Sequence, residues 1–314
     1  MNTPTRLAVF AAGLAVVFVG AVGVGNAVGP VGTAAADPHG GGHSSAADAE
    51  PDAGHEGGHD AGDAGPSAAR DTPVTGLSVS TDGYTLQLES ATAPVGTAAP
   101  FAFTITGPDG QPVTDFTPEH DKELHLIVVR RDTTGFQHVH PTRDPAGRWS
   151  VPLILGSAGA YKVFTDFVPD DRTDSLTLAA DFAAAGSYES QPLPAVSRTA
   201  TVEDYTVTLD GDLTAGTLSE LTLSVSRGGQ PVTDLQPYLA AYGHLVALRA
   251  GDLAYLHVHP DGKPGDGRTA AGPGITFYAD VPTAGDYRLY LDFQHDNVVR
   301  TAEFTATAGK QERS

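Results

Sequence analysis

Gly110-Gln111-Pro112-Val113-Thr114-Asp115 returns letter for letter as Gly229-Gln230-Pro231-Val232-Thr233-Asp234, an offset of 119 residues. The same offset carries Leu124–Val129, with His125, onto Gly243–Leu248, with His244. It carries His138-Val139-His140-Pro141 onto His257-Val258-His259-Pro260 without a gap. Tyr84–Leu88 answers Tyr205–Leu209 near each start, and after a small insertion Phe164-Thr165-Asp166-Phe167 answers Tyr290-Leu291-Asp292-Phe293. The chain therefore holds an internal duplication. Two domains of about 110 residues follow, 73–190 and 198–308, joined by a Pro-containing linker over 191–197 and ending in a short tail, 309–314.

Each copy reads as all-β. Runs such as Tyr84–Leu88, Phe101–Ile105, Leu221–Val225 and Tyr287–Leu291 alternate apolar and polar residues. Gly, Pro and Asp turns bound them about every 8–12 residues. Roughly seven short strands in such a length predict tandem immunoglobulin-like or cupredoxin-like β-sandwiches. With no cysteine in the chain, each core must rest on Leu, Val, Phe and Tyr packing.

Composition narrows the chemistry. Among 314 residues there is no Cys and one Met, which excludes disulfides, iron–sulfur clusters, thiolate zinc sites, a cysteine nucleophile and a Met-rich Cu(I) site. Asp and Glu number 38 against 18 Lys and Arg, a formal net charge of −20, so no nucleic-acid partner is expected.

Residues 1–36 read as a signal peptide or transmembrane anchor. Arg6 precedes a nearly unbroken apolar run over residues 7–25, and no Lys or Arg follows until Arg70. The positive-inside bias then puts the remainder outside the cytoplasm. The run's length favours an uncleaved membrane anchor, so that the protein is extracytoplasmic and held at the cell membrane. The alternative is secretion after cleavage near Ala36, at Ala34-Ala35-Ala36. Residues 37–72 are a His/Gly/Asp-rich tether predicted to be disordered, because they have too little apolar surface to offset ordering entropy. In it His39, His43, His55 and His59 are candidates for weak metal capture.

The remaining histidines form a pattern. Residues i and i+2 of a strand share a face, so His138 and His140 lie side by side. An antiparallel hairpin turning at Asp132–Gly135 brings His125 to the same face. In the second copy His244, His257 and His259 repeat the arrangement. Three imidazoles on one face are hard to satisfy by packing alone and are a common first shell for Cu(II) or Zn(II). A carboxylate is expected to complete or orient each set: Asp166 with His125, His138 and His140, and Asp292, joined by His295, with His244, His257 and His259. His120 stands upstream of the first set, where the second copy has Leu239. Nitrogen-rich donors favour Cu(II) over Zn(II). The competing reading leaves the histidines as strand caps in a structural or interaction tandem of Ig-like domains.

Through Asp121–Val129, Phe136–Pro141 and Tyr161–Phe167, matched in the second copy by Gly243–Leu245 and Leu256–Pro260, the sequence resembles YtkA-like and FixH-like domains, grouped with CopC-type copper-resistance proteins. With its anchor, tether and doubled domain, the whole chain resembles actinobacterial membrane-anchored proteins. The resemblance implies extracytoplasmic metal handling, buffering or delivery without turnover, with a metal transporter or a cuproprotein as partner. A bicupin-like metalloenzyme is the catalytic alternative. Gly251 stands five residues before His257-Val258-His259 as in a first cupin motif, but no glutamate follows at the expected distance.

Overall fold

The computed structural model describes residues 74–310. The segments 1–36 and 37–72, with His39, His43, His55 and His59, lie outside the described residues. Among the described residues no helix is long and apolar enough to cross a membrane.

Both copies are β-sandwiches. In the first, one sheet orders Ser80–Thr81, Tyr84–Leu88, Ala99–Thr106, Arg148–Leu153 and Thr142–Arg143. Its other sheet orders Thr92–Ala93, Leu176–Ala184, Gly159–Pro169, His125–Arg130 and Gln137–Val139, with Phe116–Thr117 paired to Gly159–Pro169. In the second copy one sheet runs Thr199–Val202, Tyr205–Asp210, Thr217–Arg227, Gly274–Val281 and Val258–Pro260, with Gln230–Pro231 on Thr217–Arg227. The other runs Tyr255–Leu256, Gly243–Arg249, Gly285–His295 and Val298–Ala308. The outer sheet strands obey period two: along Thr217–Arg227, Ser219, Leu221, Leu223 and Val225 are buried and the residues between them are not. Each copy closes its own core, around Phe103, Trp149 and Tyr161 in the first and around Tyr205, Phe277 and Phe304 in the second.

Two strands break that alternation. All six residues of His125–Arg130 are buried, and all of Gly243–Arg249 but its last. Leu126 and Val128 point into the first core and Leu245 and Ala247 into the second. Their neighbours Ile127, Val129, Val246 and Leu248 form a third cluster with Phe164, Ala179, Leu253 and Tyr290, built from both copies. Burying a side chain of this size contributes about 1.5–3 kcal/mol, so this seam is a third core that joins the sandwiches.

The copies meet through corresponding surfaces. Phe136 of the first stacks on Tyr290 of the second, centroids 4.0 Å apart, and Tyr255 of the second packs on Phe164 of the first at 5.6 Å. By the repeat alignment Phe136 answers Tyr255 and Phe164 answers Tyr290, so each copy gives the other the same pair. This is the reciprocity of an isologous interface within one chain. The Tyr290 hydroxyl adds a hydrogen bond to the Thr133 carbonyl, 2.6 Å long.

One pairing differs between the copies, and it bears on the site. In the first, Gln137–Val139 pairs with His125–Arg130, setting His138 opposite Ile127. In the second, the returning segment pairs with Gly243–Arg249 only through Tyr255–Leu256. The chain then crosses, and Val258–Pro260 pairs with Gly274–Val281 in the opposite sheet.

Candidate metal centre

The hairpin of the first copy gathers His125, His138 and His140, with one nitrogen of each within 4.8 Å of the others. His125 Nδ1 lies 3.0 Å from His138 Nε2 and 3.1 Å from His140 Nε2. Strand geometry explains the gathering. His138 pairs with Ile127, two residues past His125 on the same face, so His125 and His140 fall beside it.

The outer nitrogens are tied down. His125 Nε2–H donates to the Glu119 carbonyl at 3.1 Å, and His138 Nδ1–H donates to Asp292 Oδ2 at 2.9 Å. Asp292 is 3 % exposed, and its other oxygen accepts the Thr301 hydroxyl at 2.6 Å. A carbonyl and a carboxylate only accept, so these two bonds fix the ring tautomers and turn lone pairs inward. Burial, with the neighbouring His138 ring, holds His125 down to about 2, and burial likewise holds His140 down to about 3.

Three nitrogens thus converge on one point that calls for an electrophile. A single proton satisfies only one nitrogen pair, because the one Nδ1 lone pair of His125 accepts one linear hydrogen bond. A metal ion can take all three lone pairs, provided the His138 and His140 nitrogens, within 4.8 Å of one another, come to no more than about 4.2 Å apart. At roughly 2.1 Å from each nitrogen, the separations of 3.0 Å and 3.1 Å from His125 correspond to angles of about 90–95° at the ion.

The carboxylate behind the trio corrects the expected pairing. Asp166 was expected with His125, His138 and His140, and it does lie opposite His125 in register. It accepts the Thr177 hydroxyl at 3.0 Å, and burial raises its carboxyl to about 7. The carboxylate bonded to the trio is Asp292, from the other copy. The histidine face of the hairpin is the face that packs on the second sandwich, so the acid reaching His138 comes from across the seam.

The second set is spread out. His244 Nε2 lies 2.9 Å from the Tyr238 carbonyl and 3.1 Å from that of Leu239, and burial lowers its pKa to about 4. His257 and His259 pack against one another, ring centroids 4.0 Å apart, and are not gathered with His244. The early crossing of Val258–Pro260 to the other sheet separates them. His295 is elsewhere altogether: it bonds the Tyr205 hydroxyl at 2.7 Å and Asp234 at 3.1 Å. It follows Asp292 by three residues, an odd spacing that sends its side chain to the opposite strand face. His120 places its ring 5.1 Å from that of His244 and 6.2 Å from that of His125, and burial lowers its pKa. Sequence reasoning missed Glu119, Thr177 and Thr301. The threonines had a signal, since each lies directly across an antiparallel pair from its aspartate.

Fold and repeat together define a tandem of two immunoglobulin-like sandwich domains. The chain belongs to the family described as Domain of unknown function (DUF8832), which matches residues 78–188 and again 200–310. No curated protein matches the chain. Among solved structures it is similar to the Escherichia coli adhesin FdeC, at 16 % identity and a TM-score of 0.26, over 73 % of this chain and 65 % of that one. It is also similar to Yersinia pseudotuberculosis InvD, at 13 % identity and a TM-score of 0.25, over 74 % and 58 %. The adhesin InvE of the same organism gives 12 % and 0.22, over 73 % and 60 %. The chain spans less than two thirds of each.

Proposed function

We propose that this protein is an extracytoplasmic, non-catalytic tandem of Ig-like domains that binds a divalent transition-metal ion at His125, His138 and His140. The observation that carries the reading is the convergence of three imidazole nitrogens, with the outer N–H groups of His125 and His138 already committed to Glu119 and Asp292. Such commitment of the second ring nitrogen is how proteins orient metal-binding histidines. All-nitrogen donors in a chain without cysteine favour Cu(II), then Zn(II). The likeness of Leu124–Val129 and His138–Pro141 to YtkA-like and CopC-type domains supports metal buffering or delivery at the envelope, to a transporter or a cuproprotein. The apolar N-terminal run supports a place outside the cytoplasm, anchored through residues 7–25 or released near Ala36.

A second reading, a purely structural or interaction tandem, is favoured by the apolar seam, which joins the copies by side-chain packing. The test is titration of Cu(II) and Zn(II) into the full chain with the four tether histidines changed to alanine, beside the same protein carrying His140→Ala. The metal reading expects His140→Ala to remove one bound equivalent. Identical binding by the two proteins, or none by either, favours the structural tandem.

A further inference from the structure

Against the trio lies a cavity of about 70 Å³, lined by His125 and His138 of the trio together with His120, Asp166, His244 and His257, among others. Asp166, His244 and His257 correspond, through the repeat, to residues of the first centre. His244 answers His125. The bond of its Nε2–H to the Tyr238 carbonyl repeats the bond of His125 to Glu119, six residues upstream in each case, and the Leu239 carbonyl lies within reach of the same N–H. Nδ1 of His244 is then a lone pair, and it meets no donor among the described residues.

His140 has its counterpart in His259, which the strand crossing draws off to the other sheet. Another imidazole stands in that position. The His120 ring meets His244 at 5.1 Å and 85°, and the His140 ring meets His125 at 4.9 Å and 85°. His120 comes from the first copy, at the tip of a tight hairpin in which it and Asp121 both have positive φ, 49° and 63°. The second copy makes the same turn with Leu239, so this imidazole belongs to one copy only.

Asp166 answers Asp292. Each takes a cross-strand threonine hydroxyl, but Asp292 also takes the N–H of His138, whereas Asp166 takes no imidazole. His257, the counterpart of His138, lines the same cavity as Asp166.

We propose that this cavity takes a second divalent transition-metal ion, held by His120, His244 and His257, with Asp166 accepting the outer N–H of His257. The inference rests on the metal reading of the first trio and extends it. Each copy orients a ligand of the other: Asp292 serves His138 and Asp166 serves His257. The rings of His120 and His244 already meet, whereas His257 packs on His259 and would join them by rotating its side chain away from that contact.

The test counts Zn(II) bound per full-length chain, by titration and by metal analysis after gel filtration, with the four tether histidines changed to alanine. Two equivalents are expected in the parent and one in each of His120→Leu, His257→Ala and His140→Ala. His120→Leu reproduces the residue the second copy carries in the same turn, so the fold tolerates it, and a metal-free melt checks this. One equivalent in the parent, lost in His140→Ala and unchanged in His120→Leu, overturns the second site and leaves the first standing. Two equivalents unchanged in His120→Leu also overturn it, since the second ion then lies elsewhere. No bound zinc overturns both readings.

Discussion

Changing Asp292 to asparagine isolates the contribution of the second copy to a centre whose histidines all belong to the first. The side chain keeps its shape, 3 % exposed, and its oxygen still accepts from His138 Nδ1, 2.9 Å away. The anion is lost. A hydrogen bond to a charged group contributes about 1.5–3 kcal/mol and a neutral one about 0.5–1.5. The substitution also leaves His138 less basic at the nitrogen that faces the ion. Removing such an orienting partner costs 10–100-fold in metal affinity, about 1.4–2.7 kcal/mol. The expected outcome is therefore a 10–100-fold rise in the zinc dissociation constant, measured by competition with a chromophoric chelator. The background carries His120→Leu and the tether substitutions, so that one ion is counted. Asp166→Asn in the same background should raise the constant by less than about threefold. A larger loss from Asp166→Asn than from Asp292→Asn would refute the exchange of carboxylates and restore a pairing within one copy.

Two further outcomes follow from the same geometry. Burial holds His125 near 2, His140 near 3 and His244 near 4, so below the ordinary 6.5 the native state binds fewer protons than the unfolded chain. Metal-free stability should fall as the pH drops from 6.5 towards 4, by about 1.4 kcal/mol per unit for each ring. Asp166, held up near 7 against an unfolded value of about 3.9, opposes one such ring over that window. Urea unfolding at pH 7, 6 and 5 measures the net loss, and rising stability over that range would contradict the assignment. At the seam, Tyr290→Phe strands the Thr133 carbonyl and should cost about 1–2 kcal/mol, whereas Tyr290→Ala also removes the stack on Phe136 and should cost about 3–5. Calorimetry should show Tyr290→Ala splitting the unfolding of the two copies into separate transitions. A melt unchanged from the parent would show that the seam does not couple them.

The repeat, the all-β class and the gathering of His125, His138 and His140 were legible because they depend on local rules. Exact recurrence gives the duplication, and period two with an antiparallel turn gives the shared histidine face. The partner of His138 was not legible, because no local rule says how two sandwiches dock. A signal for the docking was nevertheless present: Leu124–Val129 is nearly unbroken apolar, as a strand covered on both faces must be. His295 was misplaced by overlooking that a three-residue step reverses the strand face. His257 and His259 share the string His-Val-His-Pro with the first copy and still part from His244. Between these histidines and the long strand that follows, the offset grows from 119 residues to 126, as Phe164 answers Tyr290. That insertion lengthens the loop after Pro260 and accompanies the crossing of Val258–Pro260 to Gly274–Val281. An identical motif acquired a different neighbourhood through the chain behind it.

If the first centre is a metal site, His125, His138 and His140 hold one ion between them. Anomalous diffraction at the zinc edge, from crystals of the zinc-loaded protein, tests it most directly. The expected peak lies about 2.1 Å from His125 Nδ1, His138 Nε2 and His140 Nε2 together. Bound zinc elsewhere, with those three nitrogens still in mutual contact and no peak between them, would contradict it.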